Sequence, residues 1–253
     1  MRKFMGIVRY TFVEIFRNKV YYVLLLFGGV LVLSTMLFGS LGGEQRNRMI
    51  TDLGLAGIEV VALVIAVFAA VTLVIDEMET RTLYLILTRP VARYQFLLGR
   101  YVGLLALVSC AMAAMAATHA LLLALIKAPL TMDYVVSLLF SWEKITIITA
   151  VALAFSLFST STLSAVAFTL FFWIMGHLSP EIRFLAQKSK QPFVIWICRA
   201  FYYLAPNFHR LNLRDWPAQF TPTHWLALSA VYGIFYACAC LALAVLLFRK
   251  KEF

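Results

Sequence analysis

From Val20 to Leu41 the chain runs about 22 residues without a charge, and four more apolar blocks follow it. They are Leu53 to Ile75, Tyr101 to Ile126, Ile145 to Leu178 and His224 to Phe248. A helix that crosses a bilayer needs ~20 apolar residues, and a chain of this length has too little polar surface to hide five such runs from water. Composition agrees: 63% of residues are hydrophobic and 13% charged, against roughly 45–50% and about 25% in a soluble domain. The expected class is an all-α integral membrane protein. No linker or internal repeat divides residues 1–253, so one membrane domain is expected. The net charge of +10 does not point to nucleic acid, because the basic residues gather at the ends of the apolar blocks, as the positive-inside rule requires.

The fourth block fixes the topology. Its ~34 residues would make a helix of ~51 Å, well beyond a hydrocarbon core of ~30 Å. The run Ser159-Thr160-Ser161-Thr162 divides it, since hydroxyls satisfy backbone groups freed at a break. Six spans result, at about 20–41, 53–75, 101–126, 143–159, 162–178 and 224–248, the fourth beginning as early as Trp142. An even count puts three basic clusters on one side: Arg2, Lys3, Arg9, Arg17 and Lys19; Arg81, Arg89, Arg93 and Arg100; and Arg249, Lys250 and Lys251. That side is expected to be the cytoplasm, of a bacterial or archaeal plasma membrane, with both termini inside. The loop from Ser179 to Thr223 runs against the rule. It is expected outside, yet holds Arg183, Lys188, Lys190, Arg199, Arg210 and Arg214.

Segments between the spans carry patterns of their own. Phe4, Ile7, Val8, Phe12, Ile15 and Phe16 recur at helical spacing before the first span, which suits an amphipathic helix on the inner membrane surface. Residues 193–197 and 201–204 are too short to span and suit short helices at the outer interface, where Trp and Tyr sit well. Between the second and third spans lies DEMETRTLYLILTRPVARYQFLLGR, from Asp76 to Arg100. Pro90 disfavours helix at Arg89 and can start a new one, dividing the stretch in two. Its middle, Leu83-Tyr84-Leu85-Ile86-Leu87, is apolar all round and calls for lipid headgroups or a protein groove to cover it.

These residues resemble the membrane subunits of ABC-2-type ABC transporters. Members carry a phrase like "GTLELLLSRPVSRWEFLLGK" after one or two acids. Here Glu77 and Glu79 precede Thr82-Leu83-Tyr84-Leu85-Ile86-Leu87-Thr88-Arg89-Pro90-Val91-Ala92-Arg93, with Phe96-Leu97-Leu98-Gly99-Arg100 downstream. Arg81 stands where a glycine is usual. The phrase Leu204-Ala205-Pro206-Asn207 with Asn212-Leu213-Arg214-Asp215 is similar to the small permeases of the nitrous-oxide-reductase maturation type. The resemblance implies a cytoplasmic coupling helix that docks on a separate ATPase subunit through Glu77, Glu79, Arg81, Leu83, Leu87, Arg89, Pro90 and Arg93. It further implies a homodimer of this chain with two ATPase copies, ATP and Mg being held by the ATPase, and the movement of a substrate outward.

The chain shows no chemistry of its own. GxxxxGK[ST] and HExxH are absent, and His119, His177, His209 and His224 are scattered. The four cysteines form no CxxC and read as small apolar fillers. No enzyme, bound cofactor or metal is therefore expected. Glu59 is the sharpest polar signal inside a span, with His119 and Lys127 as candidate partners, so Glu59 and His119 are candidate pathway or gate residues. Two other classes stay open: a membrane anchor or assembly factor for an extracytoplasmic enzyme, and an ion-coupled secondary transporter. The basic external loop could meet an anionic substrate or a periplasmic partner.

Overall fold

The computed structural model describes residues 2–39, 43–79, 92–213 and 223–250. Nine α-helices, joined by two 3₁₀ turns, make up these residues, and no strand occurs among them. In chain order they are α1 (Arg2–Phe16), α2 (Lys19–Gly39), α3 (Arg46–Glu79), α4 (Arg93–Leu125), α5 (Met132–Phe158), α6 (Thr162–His177), α7 (Ser179–Lys188), α8 (Pro192–Leu204) and α9 (Thr223–Lys250). Five of them, α2, α3, α4, α5 and α9, are long and apolar enough to cross a membrane. A sixth span exists if α6 and α7, bent by 67° at Leu178, are taken as one.

The long helices outrun the expected spans. α3 begins at Arg46 rather than near Leu53, and α4 at Arg93 rather than Tyr101. α5 begins at Met132, ten residues before the earliest start expected from the sequence. That added piece carries Asp133, and the helix continues through Glu143 and Lys144. Hydropathy alone reads these charges as a boundary, but a helix tolerates them where a neighbouring helix supplies partners. The break at Ser159–Thr162 falls where the hydroxyl run lies. α5 ends on Ser159, whose amide donates to the Phe155 carbonyl at 2.8 Å, and Ser161 caps α6 by accepting from the Ser164 amide.

α3 and α5 form the centre of the bundle; α3 packs against α2, α4, α5 and α6, and α5 against α3, α4, α6 and α9. α2 and α9 lie outside them and expose Val23, Leu26, Phe27, Leu228 and Phe235. Such a surface fits lipid or another apolar partner. Trp142 Nε1 donates to Ser109 Oγ at 2.7 Å and Tyr101 Oη to the Thr146 carbonyl at 3.0 Å, which ties α4 to α5. α4 closes with the Ala128 amide bonded to the Leu123 carbonyl and the Lys127 amide to the Ala124 carbonyl. Lys127 takes φ 55°, the left-handed position that a glycine usually fills in this motif.

The N-terminal helix packs on protein rather than lying on lipid alone. The stripe foreseen in α1 turns towards α4, burying Thr11 and Ile15, while Met5, Tyr10 and Val13 stay exposed. Close approach is possible because α4 carries Gly99 and Gly103 four apart on one face. A Cβ at Gly103 would lie 2.9 Å from the Val8 carbonyl and 2.6 Å from Thr11 Cβ. Gly103→Val is therefore expected to lift α1 off α4, raising trypsin cleavage at Arg9 and Arg17. Gly6→Ala, which meets nothing within 4 Å, should leave cleavage as in the parent.

Candidate functional site

Two networks of buried charge hold the bundle, both anchored on α3. At the end that carries the chain termini, Arg100 lies in the second turn of α4 and is 1% exposed. One of its terminal nitrogens donates to Glu14 Oε2 of α1 at 2.6 Å and to Thr11 Oγ1 at 3.2 Å. The other is ion-paired with Glu77 of α3. Tyr10 and Phe96 place their rings 5.1 and 5.4 Å from the guanidinium carbon. A planar guanidinium serves two carboxylates and an aromatic face at once, which a lysine ammonium cannot. Glu77 is buried, whereas Glu14 is 40% exposed, so the second carboxylate stays partly hydrated and one cation suffices.

Beside this node, Arg93 donates to the carbonyls of Phe248 and Arg249 at 3.4 and 3.2 Å. Those carbonyls belong to the last turn of α9, where a helix lacks internal donors and carries partial negative charge. The first two turns of α4 thus gather α1, α3 and α9 at a single end of the bundle.

The second network lies 18 residues back along α3, ~27 Å from the first. Glu59, 3% exposed, accepts from Lys144 Nζ at 2.9 and 3.0 Å and from Ser141 Oγ at 2.8 Å. His177 Nε2, at the end of α6, stands 3.5 Å away. Lys144 is 1% exposed. The expected partners of Glu59, His119 and Lys127, are not the ones it has. Residue 144 supplies the cation because α5 runs beside α3 in the same direction and brings Ser141 and Lys144, one turn apart, onto Glu59.

His119 is fully buried elsewhere, its Nδ1 3.2 Å from Tyr134 Oη, and it fastens the far end of α4 to the start of α5. Its Nε2 faces Gly54 of α3. Glu143 is buried against α9 at Gly233, where a Cβ would collide with its carboxyl.

Of the residues expected to couple to an ATPase, Glu77 and Arg93 are described, and both engage this chain's own helices. Glu79 closes α3. Arg81, Leu83, Leu87, Arg89 and Pro90 lie outside the described residues. Sequence reasoning missed Lys144, Ser141, His177, Glu14 and Arg100 as site residues. The signal for Lys144 was a Glu-Lys pair flanked by apolar residues on both sides; for Arg100 it was a basic residue between two glycine-compatible faces of a span.

The family model described as ABC-2 family transporter protein matches residues 23–253, which takes in both networks except Tyr10, Thr11 and Glu14. This chain belongs to the ABC-2 transporter family. No curated protein matches it. An ABC-2 membrane protein works in general with an ABC ATPase.

In this ABC-2 protein, removing one partner of the inner pair leaves the other charge buried alone. Lys144→Met is expected to cost about 3–5 kcal/mol, read as a lower unfolding midpoint of the purified chain in detergent. The double variant Glu59→Gln with Lys144→Met should lose less than Lys144→Met alone. Equal midpoints for parent and Lys144→Met would show that the pair does not hold α3 to α5.

Proposed function

We propose that this chain is the permease subunit of an ATP-driven ABC exporter, working as a homodimer with two copies of a separate ATPase that holds ATP and Mg. The observation that carries the reading is the clasp between Glu77 and Arg100. Glu77 stands in the last turn of α3 and Arg100 in the second turn of α4, so the clasp joins the two helices that flank residues 80–91. A force applied to that segment by a docked ATPase reaches α3, α4 and, through Glu14, α1 together. Residues 80–91 act as the coupling helix, Leu83 and Leu87 entering a groove of the ATPase while Glu79, Arg81, Arg89 and Pro90 set its angle.

The gathering of Arg9, Arg17, Arg93, Arg100 and Arg249 near that end supports a cytoplasmic location for it in a plasma membrane. The nitrous-oxide-reductase maturation type remains the subfamily that the Leu204–Asn207 phrase favours. Glu59 acts as a gate through α6, since His177 joins its network at the longest distance and α6, at 16 residues, is shorter than the five helices long enough to span. His119 holds the far end of α4 during that movement.

Leu87→Asp and Arg89→Glu are each expected to abolish co-purification with the ATPase subunit without changing membrane insertion. Retained co-purification in both would refute the docking role. Vanadate-sensitive ATPase activity of the reconstituted complex distinguishes a transporter from a passive membrane anchor.

A further inference from the structure

The helices α7 and α8 carry charge that neither network uses. Between Ser179 and Leu213 stand five basic residues, Arg183, Lys188, Lys190, Arg199 and Arg210, against one acid, Glu181. They lie at the end of the bundle away from the termini. The Asn207 amide donates to Tyr232 Oη at 2.8 Å, and Tyr232 is 16 residues, or ~24 Å, along α9 from the carbonyl that Arg93 caps. Basic residues normally collect on the other side, so this excess calls for an anionic partner.

α7 and α8 pack as a hairpin that encloses a cavity of about 340 Å³, lined by Arg183, Gln187, Ser189, Arg199, Tyr202 and Tyr203 among others. A second cavity, about 270 Å³, shares Arg183, Gln187 and Tyr202 and extends to Asn207 and His209. Pockets that hold small ligands run to about 300–1,000 Å³. Neither cavity is lined by a carboxylate. Arg183 leans over the Tyr202 ring at 6.0 Å, and neither Arg183 nor Arg199 is ion-paired among the described residues.

The rim of the hairpin is apolar. Phe193 is 71% exposed and Trp196 69%, with Phe184, Leu185 and Leu204 also exposed. Free phosphate needs no such rim, whereas acyl chains do. Depth agrees: α7 starts two residues after His177, at the level of Glu59, ~27 Å along α3 from the Arg100 node and close to the ~30 Å thickness of a hydrocarbon core.

We propose that the α7–α8 hairpin binds the phosphate headgroup of an anionic phospholipid in the leaflet away from the chain termini. Arg183 and Arg199 hold the phosphodiester oxygens in charge-assisted hydrogen bonds, Gln187, Tyr202 and Tyr203 supply neutral donors, and Phe193 and Trp196 lie along the acyl chains. The site does not depend on the ATPase coupling proposed above.

The test is native mass spectrometry of the purified full chain in detergent, offered equal phosphatidylglycerol and phosphatidylcholine. The parent should retain phosphatidylglycerol over phosphatidylcholine by about tenfold, because choline adds a cation to the same phosphodiester and sets it against the two arginines. The R183Q/R199Q double variant should lose that preference at an unchanged unfolding midpoint, whereas K190Q, which removes a charge beside the cavity, should keep it. Equal retention of the two lipids by the parent, or an equal loss in K190Q, overturns the site. Displacement of phosphatidylglycerol by an equal concentration of inorganic phosphate overturns the lipid assignment in favour of a free anion.

Discussion

α3 carries two buried carboxylates into the bundle, and the packing of α1, α4, α5 and α6 answers to them. A charge placed among apolar helices costs several kcal/mol unless another helix brings a partner. Glu77 draws Arg100 from α4, and Arg100 draws Glu14 from α1. Glu59 draws Lys144 and Ser141 from α5, and His177 from α6. α3 is thereby pinned at two heights, and four other helices take their lateral positions from it. Apolar contact in lipid is poorly directional, because the lipid tails compete for the same surface. Paired charges supply the direction.

The two networks divide the labour. The one at the termini joins α1, α3 and α4 and adds α9 through Arg93. Its fork of donors keeps three elements in register. The inner network ties the short helix α6 to the centre, and the basic hairpin α7–α8 begins immediately beyond it. A movement of α6 against Glu59 would carry the hairpin with it, which joins the proposed gate to the proposed lipid site.

Much of this was legible in the sequence. The hydroxyl run at Ser159–Thr162 foretold the break between α5 and α6, because serine and threonine repair interrupted backbone bonding. The amphipathic stripe of α1 was correct in its residues but not in its target, since a stripe cannot say whether lipid or a glycine-bearing helix covers it. Hydropathy placed the start of α5 too late at Trp142, because it counts Glu143 and Lys144 as solvated charges although both are buried. Glu59 stood out as needing a partner, yet the one it has is 85 residues away. Arg100 was read as one more cytoplasmic arginine, and only the fold shows it to be among the most buried side chains of the chain.

The central claim is that the Arg100 node carries the state of a docked ATPase to the far end of the bundle. It is tested by pulsed electron paramagnetic resonance between nitroxides at position 228, exposed on α9, in the two protomers of the reconstituted complex, with Cys110, Cys198, Cys238 and Cys240 replaced. Trapping the ATPase with ATP and vanadate is predicted to shift the distance distribution, and Arg100→Lys, which keeps the charge but not the fork, to abolish the shift while the ATPase stays bound. A distribution that ignores vanadate, or one that shifts as fully in Arg100→Lys, would contradict the account.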